Sequence, residues 1–186
     1  MSLIQQLGFF KKDLKRMLGK RKIRILYIWL NPSFVGILTY RIDRGLYLSL
    51  GKYYGILRVP LMPVFNLFRA YANMELHYKS DIKGGLQILH PSGGIVTSKF
   101  VKIGENLTLV GGNYIVGKND NVKILDFIIG DNCFLGANAH ILGPLKLADN
   151  IKIGASACVV KDCMINNTVL VGVPAKPLNS YKTDIY

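Results

Sequence analysis

Residues 129–159 read IGDNCFLGANAHILGPLKLADNIKIGASACV. From Ile129 every sixth residue is aliphatic: Leu135, Ile141, Leu147, Ile153 and Val159 follow, and the step continues to Ile165 and Val171. Four residues after each of these comes a small or aliphatic side chain, from Cys133, Ala139, Leu145 and Ile151 to Ala157, Cys163, Val169 and Ala175. A six-residue step matches neither the period of about 3.6 of a helix nor the alternation of an isolated strand. It predicts a parallel β-helix, in which short strands joined by tight corners stack coil upon coil and bury one another's anchors. Cys133 and Cys163 then point inward as packing residues and not as reactive thiols.

The same step appears earlier, at Ile103, Leu109 and Ile115 and again at Leu76, Ile82 and Ile88. Its phase slips twice. One slip, between Ile88 and Ile103, contains HPSGG (90–94); the other separates Ile115 from Ile129 by 14 residues where 12 would keep time. Residues inserted into a solenoid leave the coil as loops, and such loops tend to carry function.

Residues 1–73 have no such period. FFKKDLKRMLGKRKIRILYIWL (9–30) mixes apolar and basic residues in a helical manner, NPSFVGILTYRIDRGLYLSL (31–50) reads as a second helix, and PLMPVFNLFRAYANM (60–74) as a third that begins after its prolines. The expected organisation is a helical, basic region over 1–73, a β-helix over 74–178 and a tail over 179–186.

Of the net charge of +13, residues 1–75 carry +10 (13 Lys/Arg against 3 Asp/Glu), so the basic character belongs to the N-terminal part. No nucleic-acid-binding module is legible, and no signal peptide. The longest uncharged run, Ile25–Tyr40, is 16 residues with a proline inside. That falls short of the roughly 20 residues a spanning helix needs. Three cysteines without CxxC spacing suit a reducing compartment, and no metal is expected. The eight Lys and Arg residues between Lys11 and Arg24, beside Phe9, Phe10, Leu26, Trp29 and Leu30, point to an anionic membrane surface as a partner. The expected location is cytoplasmic, peripheral on the inner face of that membrane.

The segment Met74–Pro177 resembles the hexapeptide-repeat acyltransferases, most closely their serine acetyltransferase-like branch. The likeness is carried by ELH (75–77), LHPSGGIV (89–96), the loop between Ile115 and Ile129, and VVKD and VGVPAKP (159–162 and 171–177). It implies a mainly β fold, a left-handed parallel β-helix after an N-terminal α-helical region, assembled as a homotrimer that moves acetyl from acetyl-CoA to a hydroxyl. It places the general base at His90 and the carboxylate that orients it at Glu75. An alcohol attacks a thioester only if a neutral imidazole takes its proton, and a carboxylate on the far ring nitrogen fixes the tautomer. For the coenzyme the resemblance implies a groove along Gly117, Ala137 and Ala155, with Lys152, Lys161 and Lys176 for the phosphates.

Three positions depart from the branch. Its Asp before the catalytic histidine is Leu89 here; its substrate-gripping Arg and the following His fall on Leu125 and Asp126. The loop offers Lys118, Asn119, Asp120, Asn121 and Asp126 instead, groups that hydrogen-bond hydroxyls. The expectation that follows is a saccharide acceptor, a sugar hydroxyl of a surface polysaccharide or its lipid-linked precursor. Serine O-acetyltransferase stands as the alternative, and a non-catalytic membrane-associated hexapeptide-repeat protein as the second.

Overall fold

The computed structural model describes residues 3–20, 22–118 and 126–178. Helices α1 (Leu3–Leu18), α2 (Pro32–Leu50) and α3 (Tyr54–Ala72) precede fifteen short strands, with two 3-10 turns, Lys22–Leu26 and Ile28–Leu30, between α1 and α2. The expected tail, 179–186, lies outside the described residues.

The strands, numbered in chain order, form three sheets that wrap one interior as a left-handed parallel β-helix. The first sheet contains β1 (Met74–Leu76), β4 (Ile95–Thr97), β7 (Asn113–Gly117), β10 (His140–Gly143) and β13 (Cys158–Val159). The second contains β2 (Asp81–Ile82), β5 (Lys102–Ile103), β8 (Ile128–Ile129) and β11 (Lys146–Leu147). The third contains β3 (Gln87–Ile88), β6 (Thr108–Leu109), β9 (Phe134–Leu135), β12 (Lys152–Ile153), β14 (Val169–Gly172) and β15 (Ala175–Pro177). Pairing is parallel throughout, save where β15 turns back antiparallel on β14.

The anchors lie in register, Ile82 on Ile103 on Ile129 and Ile88 on Leu109 on Leu135, and all six are buried. Asparagine turns one corner of each coil: Asn106, Asn132, Asn150 and Asn167 all hold φ between 56° and 61°. This left-handed conformation costs most side chains about 1–2 kcal/mol, and asparagine tolerates it.

The sequence expectation fails in the last coil. Ile165 is 71% exposed and Val171 half-buried, because the chain cuts the coil short. Cys163 bridges to Leu147 and Leu170 pairs with Ile153, so these two take the inward places. The slip at HPSGG, by contrast, is three residues: Leu76 pairs with Thr97, 21 residues on, whereas Ile129 pairs with Leu147, 18 on. Helix α3 also differs, starting at Tyr54 with Pro60 and Pro63 inside it. Both prolines lie on its exposed side, where carbonyls left without an N–H donor face water.

The helices are locked to the first coils by buried charge. Arg41 on α2 is 1% exposed; its guanidinium donates to both Asp13 oxygens (2.8 and 3.2 Å), to Gln6 Oε1, and to the carbonyls of Ile82 and Lys83. Asp13 on α1 accepts in addition from the backbone N–H groups of Gly85 and Leu86, both at 2.7 Å. Burial pushes the Asp13 carboxyl up, against the pull of Arg41. Arg16 reaches the Gly85 carbonyl and Thr108, and Tyr40 donates to Ser80 O. Ile37, Tyr40 and Ala72 of the helices join the same apolar cluster as the coils.

Removing one partner of such a pair strands the other charge in the interior. Arg41→Met should therefore lower unfolding free energy by about 3–5 kcal/mol, read from urea denaturation against the unaltered chain.

Candidate active site

The three-residue insertion at HPSGG sits at the corner between the third sheet and the first. Ser33 Oγ holds the Ile88 carbonyl, His90 N–H donates to Val110 O, and Pro91–Gly93 make a short 3-10 turn. Asn73 Nδ2 donates to Ser92 O, pinning the turn to the end of α3. Beneath lies Gly111, at φ 147°; a side chain there would run into the His90 carbonyl oxygen. The imidazole of His90 is thus carried on a fixed backbone and exposed. It lines a cavity of about 490 Å³ with Asn31, Tyr71, Asn73, Leu89 and Ser92.

Glu75 points out of the first sheet, from the coil before, in an outward column with Val96, Tyr114, His140 and Cys158. It lines two other cavities, of about 440 and 340 Å³, on the face of that sheet. Among the described residues no hydrogen bond joins it to His90, so the expected dyad is not made within one chain. The two are separated because Glu75 lies on the strand and His90 on the corner beside it.

Below His90, small residues continue along the same corner: Gly111 and Gly112, then Ala137, then Ala155, stacked by Asn138 N–H to Gly111 O and Ser156 N–H to Ala137 O. Two of the expected coenzyme residues therefore share the edge of His90, with Lys152 exposed on the strand that enters it. Gly117 does not. It pairs with Gly143 at the opposite edge of the first sheet, near Lys161, which follows β13. Lys176 is exposed on β15.

The expected acceptor loop is not gathered at His90 either. Lys118 and Asp126 are exposed, neither lines the His90 cavity, and Lys118 Nζ donates to Val160 O at the far edge. Asn119, Asp120, Asn121 and Leu125 lie outside the described residues. Among the described residues no group of three His, Cys, Asp or Glu could hold a metal ion. Cys133 and Cys163 point inward as expected, and burial pushes the Cys133 thiol up to about 11.

A cluster that sequence reading missed supports the site from behind. Asp43 on α2, fully buried, receives Arg69 Nη2 at 2.6 Å, Arg58 Nε at 3.4 Å and the Tyr54 hydroxyl. Tyr47, Tyr54 and Tyr78 meet edge to face beside it, and His77 stacks on Tyr78 at 4.8 Å. The only signal in the sequence was a rare acid, Asp43, amid a basic region.

No family model matches the chain. A serine acetyltransferase of Helicobacter pylori is 29% identical over 160 residues, 86% of either chain. The structure of a serine acetyltransferase from Neisseria gonorrhoeae superposes with a TM-score of 0.77 at 29% identity, over 97% of this chain and 69% of that one. A second structure of the Neisseria gonorrhoeae enzyme, in complex with serine, gives 0.74 at 27%, over 95% and 70%. Fold and likeness together define a hexapeptide-repeat acetyltransferase. The chain is an acyl-CoA-dependent O-acetyltransferase. The expectation of polysaccharide O-acetylation is overturned: likeness spanning nearly the whole chain runs to serine acetyltransferases.

His77 gives the site region a pH signature. Its Nδ1 accepts the Lys79 N–H at 3.1 Å. Burial first, then the cations Arg58, Arg69 and Lys79, hold it down at about 4. The folded chain therefore favours neutral His77, while the unfolded chain protonates it near the usual value of about 6.5. Stability from this group is complete above that value and is lost as pH falls from there toward about 4. His77→Asn, which keeps an acceptor but does not titrate, should flatten the fall in melting temperature across that window.

Proposed function

We propose that the chain is a serine O-acetyltransferase, transferring the acetyl group of acetyl-CoA to the serine hydroxyl with His90 as general base. The observation that carries this reading is the exposed imidazole at the broken corner, beside a cavity of about 490 Å³, in a chain similar over 86% of its length to a serine acetyltransferase.

The chemistry follows from the placement. His90 takes the hydroxyl proton as the serine oxygen attacks the thioester carbonyl carbon. The tetrahedral intermediate collapses with cleavage of the carbon–sulfur bond, and the imidazolium returns its proton to the departing sulfur. Products are O-acetylserine and coenzyme A.

The grip on the amino acid differs from the branch at Leu89, Leu125 and Asp126. Within the cavity Asn31, Asn73 and Ser92 are the polar groups that face a small acceptor, and Asn31 offers its amide N–H₂. A compact cavity with amide donors suits an amino acid, and hydrogen bonds there replace part of what a guanidinium would supply. Homotrimeric assembly, which the resemblance implies, fits the division of the candidate coenzyme residues between two edges. Packing copies about a threefold axis sets the Gly117 and Lys161 edge of one against the His90, Ala137 and Ala155 edge of the next. In that arrangement Glu75, exposed on the sheet between the edges, faces the shared cleft.

Thiol release from acetyl-CoA tests the reading. Serine should accelerate it, and His90→Ala should lower turnover by about two to four orders of magnitude while acetyl-CoA still binds. Absence of serine-dependent release from protein that binds acetyl-CoA would remove serine as acceptor; full activity of the His90 variant would remove the base.

A further inference from the structure

Helix α3 is a surface without a partner. Its two charged residues, Arg58 and Arg69, both turn inward to Asp43. Its outer stripe is Ile56, Val59, Pro60, Pro63 and Leu67, spaced three and four apart and all exposed. Leu67 is 68% exposed and Ile56 78%. Among the exposed residues of α3 the polar groups are Asn66 and the Tyr71 hydroxyl, and that hydroxyl donates to Leu30 O. This bond joins α3 to the 3-10 segment before α2, where Ile25, Leu26, Trp29 and Leu30 are exposed as well. Isolated exposed apolar residues are ordinary, but a contiguous face of this extent marks an interaction site.

Charge decides what covers it. The region holding this face carries +10. Two copies meeting through it would set like charge on like, whereas an anionic surface is attracted. Exposed Lys20 and Arg24 flank the Trp29 segment, Lys52 precedes α3, and Lys11 and Lys15 lie along the outside of α1 beyond exposed Ile4 and Leu7. Basic residues beside an exposed apolar face match the arrangement that seats helices in the headgroup layer. Among the described residues no helix is long and apolar enough to cross a membrane, so the geometry is one of lying on the surface.

We propose that the outer face of α3 and the Trp29 segment dock the protein onto the anionic surface of a lipid bilayer. The structure changes which residues of the basic run serve this. Arg16 is committed to Gly85 O and Thr108, Lys12 pairs with Glu105, and Phe9 and Phe10 are half-buried against the fold. The apolar contact comes from α3 and the Trp29 segment, and the exposed bases surround it. This inference is independent of the acceptor that His90 serves.

Trp29 is the chain's one tryptophan and is 60% exposed, so the unaltered protein reports on its own docking. With phosphatidylcholine vesicles containing about a quarter phosphatidylglycerol its emission should shift to the blue and the protein should sediment with them. Vesicles of phosphatidylcholine alone should do neither, and about 0.5 M salt should reverse binding. A double variant, Val59→Asp with Leu67→Asp, touches no core residue and should lower partitioning at least about tenfold, with melting and acetyl transfer unchanged. Unshifted emission with all protein left in the supernatant overturns the proposal, as does unchanged partitioning of the double variant. A vesicle-free fall in the variant's oligomeric mass overturns it too, since the face would then hold a second copy.

Discussion

The pairing of Arg41 with Asp13 is the contact on which the N-terminal half depends. A β-helix presents an open end where its first coil has no coil above it, and its backbone groups there need partners. Here one guanidinium takes the Ile82 and Lys83 carbonyls, and one carboxylate takes the Gly85 and Leu86 N–H groups. The two charges satisfy each other and the exposed backbone at once. Such an arrangement tolerates no partial version, because a half-satisfied buried network is worse than an apolar one. It also fixes α2 over the coil end, which in turn sets Ser33 against Ile88 and Asn31 against the His90 cavity.

What the sequence could reveal follows from repetition. Each coil places its anchor in the same surroundings as the last, so the same residue type recurs every six positions and the interior can be read directly. The column of corner asparagines was equally periodic, from Asn132 to Asn150 to Asn167, but its meaning lies in backbone conformation and not in hydrophobicity. The helical clamp left no period to read. Asp13, Arg41 and Gly85 are separated by irregular distances, and only folding brings them together. Helix α3 was misread at its start because proline was taken as a boundary, when an exposed helical side can accommodate it.

The site was legible in part. The broken step singled out the corner of His90, and the resemblance gave that histidine its role. Glu75 was placed by counting along the chain, and a count does not say that one side chain leaves a strand while the other leaves a corner. The acceptor was misjudged for a different reason. Leu89, Leu125 and Asp126 were read as loss of the grip on serine, as though recognition belonged to those positions alone. The helices supply Asn31 and Asn73 to the same cavity, from a part of the chain where no period drew attention to them.

The two departures from the 18-residue coil lie at different edges of the first sheet, and neither disturbs the stacked anchors on either side. Ile88 and Leu109 stay buried across the first, Ile115 and Ile129 across the second. The scaffold is therefore modular in its chemistry: segments at those two edges can change in length and composition while the interior keeps its register. For a protein engineer this separates two tasks that most enzymes entangle. Stability is tuned along the repeating column, acceptor choice at the edges, and a graft at one edge leaves the other free to keep its own contacts.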